Sequence, residues 1–258
     1  MNRIVLNLSS DPALGAVNVS TDGSRFQIDL DTSRGILVPR EATSCEVCIM
    51  RASIWNSSPN LGPALGNNLF RFTSGATHTI AVPEGLWSLT ALNSFLGSEF
   101  VARGYPSSLF RLSGLDATNQ TTITFANLAD SIDFTIGSSL RGVLGFNSRV
   151  VTVAVAGGTA YSDSPAAFNR NDAYQVATNM CDGLQVNSQT SGVIGIIPIT
   201  ASPGTLINYD PRQLLWIPAP ELIGSSRANL RFALVNQAGE ATGTGGEKWS
   251  ATMVIRYQ

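Results

Sequence analysis

Two cysteines three positions apart, a single histidine and a short run of oxygen ligands are the residues whose types and spacing could do chemistry. Cys45 and Cys48 form a C-x-x-C in SCEVCIMRASI, a spacing used by zinc and dithiol sites. The flanking residues are those of a β-strand, however, and a strand sends residues three apart to opposite faces. No second pair follows and the cysteine total, three, is odd, so these thiols read as small buried hydrophobes. His78 is the only histidine, and any Ser–His–Asp or Cys–His relay would have to use it. It sits mid-strand in ATHTIAV, between two threonines, and reads as an ordinary strand residue. Asp29, Asp31 and Ser33 ahead of Gly35 alternate like calcium ligands, but Arg40 occupies the position of the bidentate glutamate that such a loop requires. The glycine-rich AGEATGTGG (238–246) lacks the Gly-Lys-Ser/Thr order of a phosphate-binding loop and precedes a strand, so a hairpin loop is expected. No catalytic, cofactor-binding or metal-ligating residue is assigned, and the chain is read as a non-enzyme. Trp55 and Trp87 could serve as stacking platforms for a sugar, with core packing as their other role. The N-x-S/T sequons at Asn7, Asn18, Asn56 and Asn119 are what chance gives in a chain so rich in Asn and Ser.

Composition narrows the function classes. Hydrophobic residues make up 43% of the 258 and charged residues 13%, where about 25% charged is usual. Polarity must come from Ser, Thr, Asn, Gln and Gly, a surface that repels neighbours weakly and suits close assembly or a compact secreted β domain. The net charge is −2, and the cations are 15 Arg and one Lys, Lys248. They are scattered, so no sequence-specific nucleic-acid surface is implied. Arg in place of Lys suits planar ion pairs at protein contacts, or reflects genomic composition. No run of 18 apolar residues could span a membrane. The start, MNRIVLNLSSDPALG, has no signal-peptide pattern, and synthesis in a cytosol is expected.

Periodicity supplies the elements that would hold these residues. RFQIDLD (25–31) alternates, with Phe26, Ile28 and Leu30 on one face. SCEVCIMRASIW (44–55) is apolar on both faces, as a central strand is. LFRFT and THTIAV follow as short strands. VPEGLWSLTALNSFLGSEFVARGY (82–105) then reads as one amphipathic helix, capped by Ser88, with Leu89, Leu92, Phe95, Leu96 and Phe100 inward, Gly104 at the left-handed cap and Pro106 as a stop. SLFRLSG, TTITFAN and SIDFTIG suggest a three-stranded meander. SSLRGVLGF (138–146) suggests a second helix, capped by Ser138 or Ser139, with Leu140, Val143 and Leu144 inward. Strands resume near 149–157, 173–180, 192–199, 205–210, 227–237 and 247–258.

Eight principal strands remain when 82–148 and the strand at 149–157 are set aside: 25–31, 44–55, 69–73, 77–82, 173–180, 192–199, 227–237 and 247–258. Four before an insertion and four after is the pattern of a jelly roll, two four-stranded sheets built from Greek keys. On this reading 25–31 pairs with 247–258 and 44–55 with 227–237. The domains are then 1–81 with 149–258 as a jelly-roll β-sandwich and 82–148 as an inserted α+β helix–meander–helix subdomain. The alternative is two lean jelly rolls in tandem, 1–148 and 149–258.

Three stretches also carry a resemblance. I-x-V-P-x-G-x-x-S-L-x-x-L at Ile80–Leu92, S-L-x-x-x-L-G-F at Ser139–Phe146, and the closing L-x-F-x-L-x-x-Q-x-G…G-E-x-W-S-x-x-x-x-I at Leu230–Ile255 resemble jelly-roll capsid proteins. These are the proteins of icosahedral DNA viruses of the adenovirus, tailless lipid-containing phage and polinton–virophage lineage. The resemblance implies a mainly β viral jelly roll and a structural role in the shell or its vertices, as a major, penton or minor capsid protein. It implies a virion location after synthesis in host cytoplasm, a homo-oligomer (trimer or pentamer), contacts with other capsid proteins, and an internal viral membrane at the shell's inner face. A carbohydrate- or receptor-binding β-sandwich, as in a virion spike or lectin, is the alternative from the residues alone.

Overall fold

The computed structural model describes residues 1–30, 35–115, 117–168, 171–183, 185–186, 189–190 and 192–258. In chain order its principal elements are β1 (Asn2–Ser9), β2 (Arg25–Asp29), β3 (Cys45–Trp55), β4 (Leu69–Ser74), β5 (Ala76–Ala81), α1 (Leu89–Ala102), β6 (Phe110–Leu115), β7 (Gln120–Phe125), β8 (Ser131–Asp133), α2 (Arg141–Leu144), β9 (Thr159–Pro165), β10 (Ala173–Thr178), β11 (Val193–Pro198), β12 (Leu206–Tyr209), β13 (Asn229–Val235) and β14 (Ser250–Tyr257). The chain forms two compact units, 1–58 with 171–258, and 59–170.

The first unit is an antiparallel sandwich. One sheet runs β1–β14–β3–β12, with Ile217–Pro218 also on β3; the other runs β11–β10–β13–β2 and ends on Ala16–Val17. Numbered within this unit alone, the eight strands pair first with eighth, second with seventh, third with sixth and fourth with fifth, which is the jelly-roll topology. Each strand alternates: Ile4, Leu6 and Leu8 on β1, Phe26 and Ile28 on β2, Leu230, Phe232 and Leu234 on β13, and Ala251, Met253 and Ile255 on β14 all face one core. Gly195 is the strand-interior glycine that lets the two sheets close. A Cβ there would stand 2.7 Å from Ile49 Cγ1 on the facing sheet, closer than two carbons pack.

The topology corrects the strand count. Asn2–Ser9, unassigned from sequence, is the first strand, so the partner of β14 is β1 and not 25–31. Cys45–Trp55 lies between β14 and β12 and does not meet 227–237, which pairs with β2 and β10. Phe26, Met253 and Ile255 nevertheless share one core, with Ile28 at its edge. The domain boundaries move for the same reason. β4 and β5 belong to the second unit, as do Val150–Val151 and β9, so the divisions fall at 58/59 and 170/171 in place of 81/82 and 148/149. Division into 1–148 and 149–258 does not describe these units, since the chain leaves the sandwich after its third strand and returns for the fourth. The glycine-rich link at 238–246 opens as a small hairpin, with Val235 bridging Ala241 and the Thr242 amide donating to Leu234 O, and then crosses to the other sheet, so β13 and β14 are not themselves hairpin partners.

The second unit has two sheets of its own, Val150–Val151–β8–β4–β5 and β9–β7–β6. Only β6 and β7 of the expected meander are neighbours; β8 pairs with β4, and β9 takes the other edge of β7. α1 matches its sequence signals. Ser88 Oγ accepts from the Ala91 amide, Leu92, Leu96 and Phe100 are buried, and Gly104 has φ +84°. Three such side chains are worth roughly 5–9 kcal/mol together. They pack in a phenylalanine-rich core with Phe70, Phe72, Phe110 and Phe125. α2 is a single turn. Leu140 stands at its N-cap without a side-chain bond, and neither Ser138, at φ +57°, nor Ser139, whose hydroxyl donates to Phe134 O, caps it. Among the described residues no helix is long and apolar enough to cross a membrane.

Two outcomes follow from these pairings. Excising 59–170 and joining Ser58 to Asn171 through a short Gly/Ser linker should leave a cooperatively melting sandwich, because Asn171 Nδ2 already donates to Ser58 Oγ at 3.0 Å. Excising only 82–148 should instead leave β4 and β5 without a core and give aggregate. Removing residues 1–6 strips Ile4 and Leu6 and most of the β1–β14 ladder. With about 2–4 kcal/mol lost in side-chain burial alone, a fall in melting temperature of roughly 5–15 °C is expected by calorimetry.

Candidate functional site

Among the described residues, those singled out for chemistry are not brought together. His78, on β5, stacks on Phe72 with ring centroids 5.2 Å apart and an interplanar angle of 29°. Its Nε2 lies 2.9 Å from Tyr105 Oη, and that hydroxyl sits 2.7 Å from Ser74 O. The tyrosine proton goes to the carbonyl, so His78 Nε2–H donates to the tyrosine oxygen. This chain of bonds ties the segment after α1 to the β4–β5 turn and activates no nucleophile. Cys45 faces the sandwich core with Val47 and Ile49, whereas Cys48 projects from the other side of β3, as the alternation required. Both are buried, as is Cys181. Burial raises all three thiols above their ordinary range, Cys45 to about 11, with the nearby Cys181 and Glu221 adding to the effect. Among the described residues no three His, Cys, Asp or Glu converge as a metal site. Asp29 accepts from Gln27 Nε2 and Asn229 Nδ2, each at 2.7 Å; Asp31 and Ser33 lie outside the described residues.

The glycine-rich link is a structural clamp. The amides of Thr244 and Gly246 donate to Asp22 O, and Trp249 Nε1 donates to Gly23 O at 2.9 Å. Gly23 has φ +74°, and a Cβ there would collide with Thr244 Oγ1. Of the two tryptophans, Trp87 is engaged: it packs on Phe95 at 5.2 Å and its Nε1 donates to Pro83 O. Trp55 stands exposed at the end of β3. A third, Trp216, lies under the Arg256 guanidinium at 3.8 Å, a cation–π contact no sequence pattern announced.

What remains as functional surface is a set of hydrogen-bonding sheet faces with few charges. On the outer face of β1–β14–β3–β12, Thr252 Oγ1 donates to Asn7 Oδ1 and Ser53 Oγ to Asn208 Oδ1, each at 3.1 Å. Its charges are largely paired there, Arg256 with Glu46 at 2.6 Å and Arg51 with Asp210 at 3.6 Å. In the second unit the outer face of β9–β7–β6 carries hydroxyl pairs, Ser113 with Thr122 and Thr124 with Thr159, beside an exposed Tyr161. A 400 Å³ groove between α1 and the following turn is lined by Ser94, Ser98, Ser107, Ser108 and Arg111. Such faces can hydrogen-bond to a neighbouring protein. The missed surface feature is the outward row of β1, Arg3, Val5 and Asn7, which the alternation in NRIVLNLS could have revealed.

The fold is thus a jelly roll whose third and fourth strands are separated by an inserted unit, and a protein of known structure has a similar fold. The chain is similar across 100% of both lengths to the crystal structure of the mavirus penton protein, with 11% identity and a TM-score of 0.52. It also aligns, over 99% of its length and 98% of the other, with a chain of the Sputnik virophage structure, at 11% identity and a TM-score of 0.43. The sequence itself matches no protein-family model and no curated protein.

The buried thiols give a direct check on this description. At pH 8 the native protein should react with a thiol reagent far more slowly than the unfolded chain, at all three cysteines. The folded state holds the Cys45 proton more tightly than the unfolded state does, so the stabilisation is whole below pH 9, the ordinary value, and is lost as pH rises toward about 11. Denaturant titrations should show stability falling over that window, and Cys45→Ala should flatten the decline.

Proposed function

We propose that this chain is a structural protein of an icosahedral virus capsid, acting at its vertices as a homo-oligomer beside other capsid proteins. One observation carries the reading: the full-length likeness of fold to a penton protein. The surface supports it. With 13% charged residues and hydroxyl and amide groups on its sheet faces, the molecule has little charge to desolvate when copies pack side by side. Of trimer and pentamer, the penton likeness favours the pentamer, a ring of heterologous contacts around a five-fold axis. The role is architectural and uses no cofactor. The inner face of such a shell would lie toward an internal membrane in a virion that has one.

Light scattering on the purified protein, at high concentration and moderate salt, tests the reading. A species near five times the 27.3 kDa chain, resolved as five-fold rings by electron microscopy, is expected. A stable monomer with no larger species would overturn it, and a glycan-array hit from that monomer would favour the sugar-binding alternative.

A further inference from the structure

The first strand of the sandwich is an edge without the usual protection. Native edge strands are blunted by proline, bulges, lysines or short length. The other edges of this unit follow that rule: Ala16–Val17 is two residues long, β12 is four, and β11 ends in Pro198 and pairs through a register shift. β1 is eight residues long, pairs in unbroken register with β14 and contains no proline. Its outward row holds one charge, Arg3, and an aliphatic side chain at its centre, Val5, which is 57% exposed. Ile4 and Leu6 point into the core yet are only partly buried; a further strand at this edge would finish covering them. In the second unit β5 is also an open edge, but its exposed side chains are Ala76, Thr77, Thr79 and Ala81, so no large apolar side chain is left for a partner to cover.

The sequence of β1 reads well against itself. In an antiparallel pair of two copies centred on Val5, Val5 faces Val5, Ile4 faces Leu6 and Arg3 faces Asn7. Like charges are never directly opposed, the side of the strand that faces the core stays on the core side, and both copies' exposed valines are covered. A slip of one residue would set the core-facing row of one copy against the outward row of the other. We infer that Asn2–Ser9 is a self-pairing edge through which two copies of this chain join their β1–β14–β3–β12 sheets across a two-fold axis. This contact is separate from the ring proposed above, which needs heterologous surfaces, and a chain outside any shell could make it.

The test uses the full-length protein and cysteine cross-linking, which is clean because Cys45, Cys48 and Cys181 are buried. Directly opposed residues in antiparallel strands have Cβ atoms about 4.5–5.5 Å apart, within relaxation of a disulfide. Val5→Cys should therefore oxidise to a covalent dimer on a denaturing gel. It should do so at least about tenfold faster than Leu14→Cys, a more exposed control, because apposed thiols see each other at millimolar effective concentration or above. Arg3→Cys mixed with Asn7→Cys should cross-link, whereas Arg3→Cys alone should not, since its two copies stand four positions apart, about 14 Å along the strand. Val5→Lys should keep its melting temperature and lose the two-fold species in native mass measurements. Equal rates for Val5→Cys and Leu14→Cys, or efficient cross-linking of Arg3→Cys alone, overturns the inference. The denaturing-gel readout is indifferent to whether five-fold rings form, so its failure and the failure of the capsid reading are separable.

Discussion

The sandwich depends on β14 being held on both sides. Residues Ser250–Tyr257 pair with β1 along one edge and with β3 along the other, so a strand from the start of the chain and one from its first third are joined by a strand 200 residues later. A one-residue slip in either ladder would turn Ala251, Met253 and Ile255 outward. The register shift opposite Thr252 and Met253 leaves Met50 as an extra residue in β3, so that Val47 and Ile49 before it and Ala52 and Ile54 after it all face the core. Trp249 fixes the entry to this strand. Its amide donates to Ser10 Oγ, its indole to Gly23 O, and its ring meets Phe26 edge-on at 5.0 Å while Phe26 stacks on Phe232 at 5.4 Å. Phe26 and Phe232 belong to the facing sheet, so this aromatic cluster couples the two layers where the chain crosses between them. The glycine-rich link supplies the conformations that allow the crossing, with positive φ at Gly239, Gly245 and Gly246.

The second unit has its own core, and the same physics governs it with different residues. Its interior is built on rings, Phe70 and Phe72 meeting Phe100 and Phe110 at centroid distances of 5.2–6.2 Å. Such pairs are worth about 0.5–1.5 kcal/mol each beyond their burial. Gly97 sits where the turn at Ser107 comes against α1; a Cβ there would be 3.2 Å from Ser107 O, so the helix can lie close to the segment that leads into β6. α1 answers to this core alone, and for that reason a well-formed helix appears in a chain otherwise dominated by strands.

Local features were legible in the sequence and pairings were not. α1, with its serine cap and glycine stop, stands where its residues placed it, and so do the alternating faces of β2, β13 and β14. The burial of both thiols on opposite sides of β3 followed from period two alone. The errors share one cause. Alternation shows that a strand has an apolar face but not which core receives it, so Leu69–Ser74 and Ala76–Ala81 read as sandwich strands although Phe70, Phe72 and Ile80 face the phenylalanine core. β1 is not legible in the sequence because Val5, on the solvent side, interrupts its polar row and blurs the period. The meander failed because β8 finds its partner in β4, far back in the chain, where local spacing carries no signal. The sheet-to-sheet crossing at 238–246 failed likewise: glycine content predicts a turn, and only the global topology decides whether the strands on either side are neighbours.

The pairing of Asn2 with Tyr257 has a consequence for the order of events during synthesis. Contacts of great sequence separation form late and slowly, because the intervening chain must be gathered first. The second unit, whose residues are consecutive, can fold while later residues are still being made, as domains generally do. The sandwich cannot: β1 and β3 wait with their inward faces open until β14 emerges and bridges them. Closure of the barrel therefore comes after nearly all 258 residues are available. Until that moment any surface that depends on the closed sandwich does not exist. A chain built this way is withheld from its neighbours by topology, and the last strand to arrive acts as the timer.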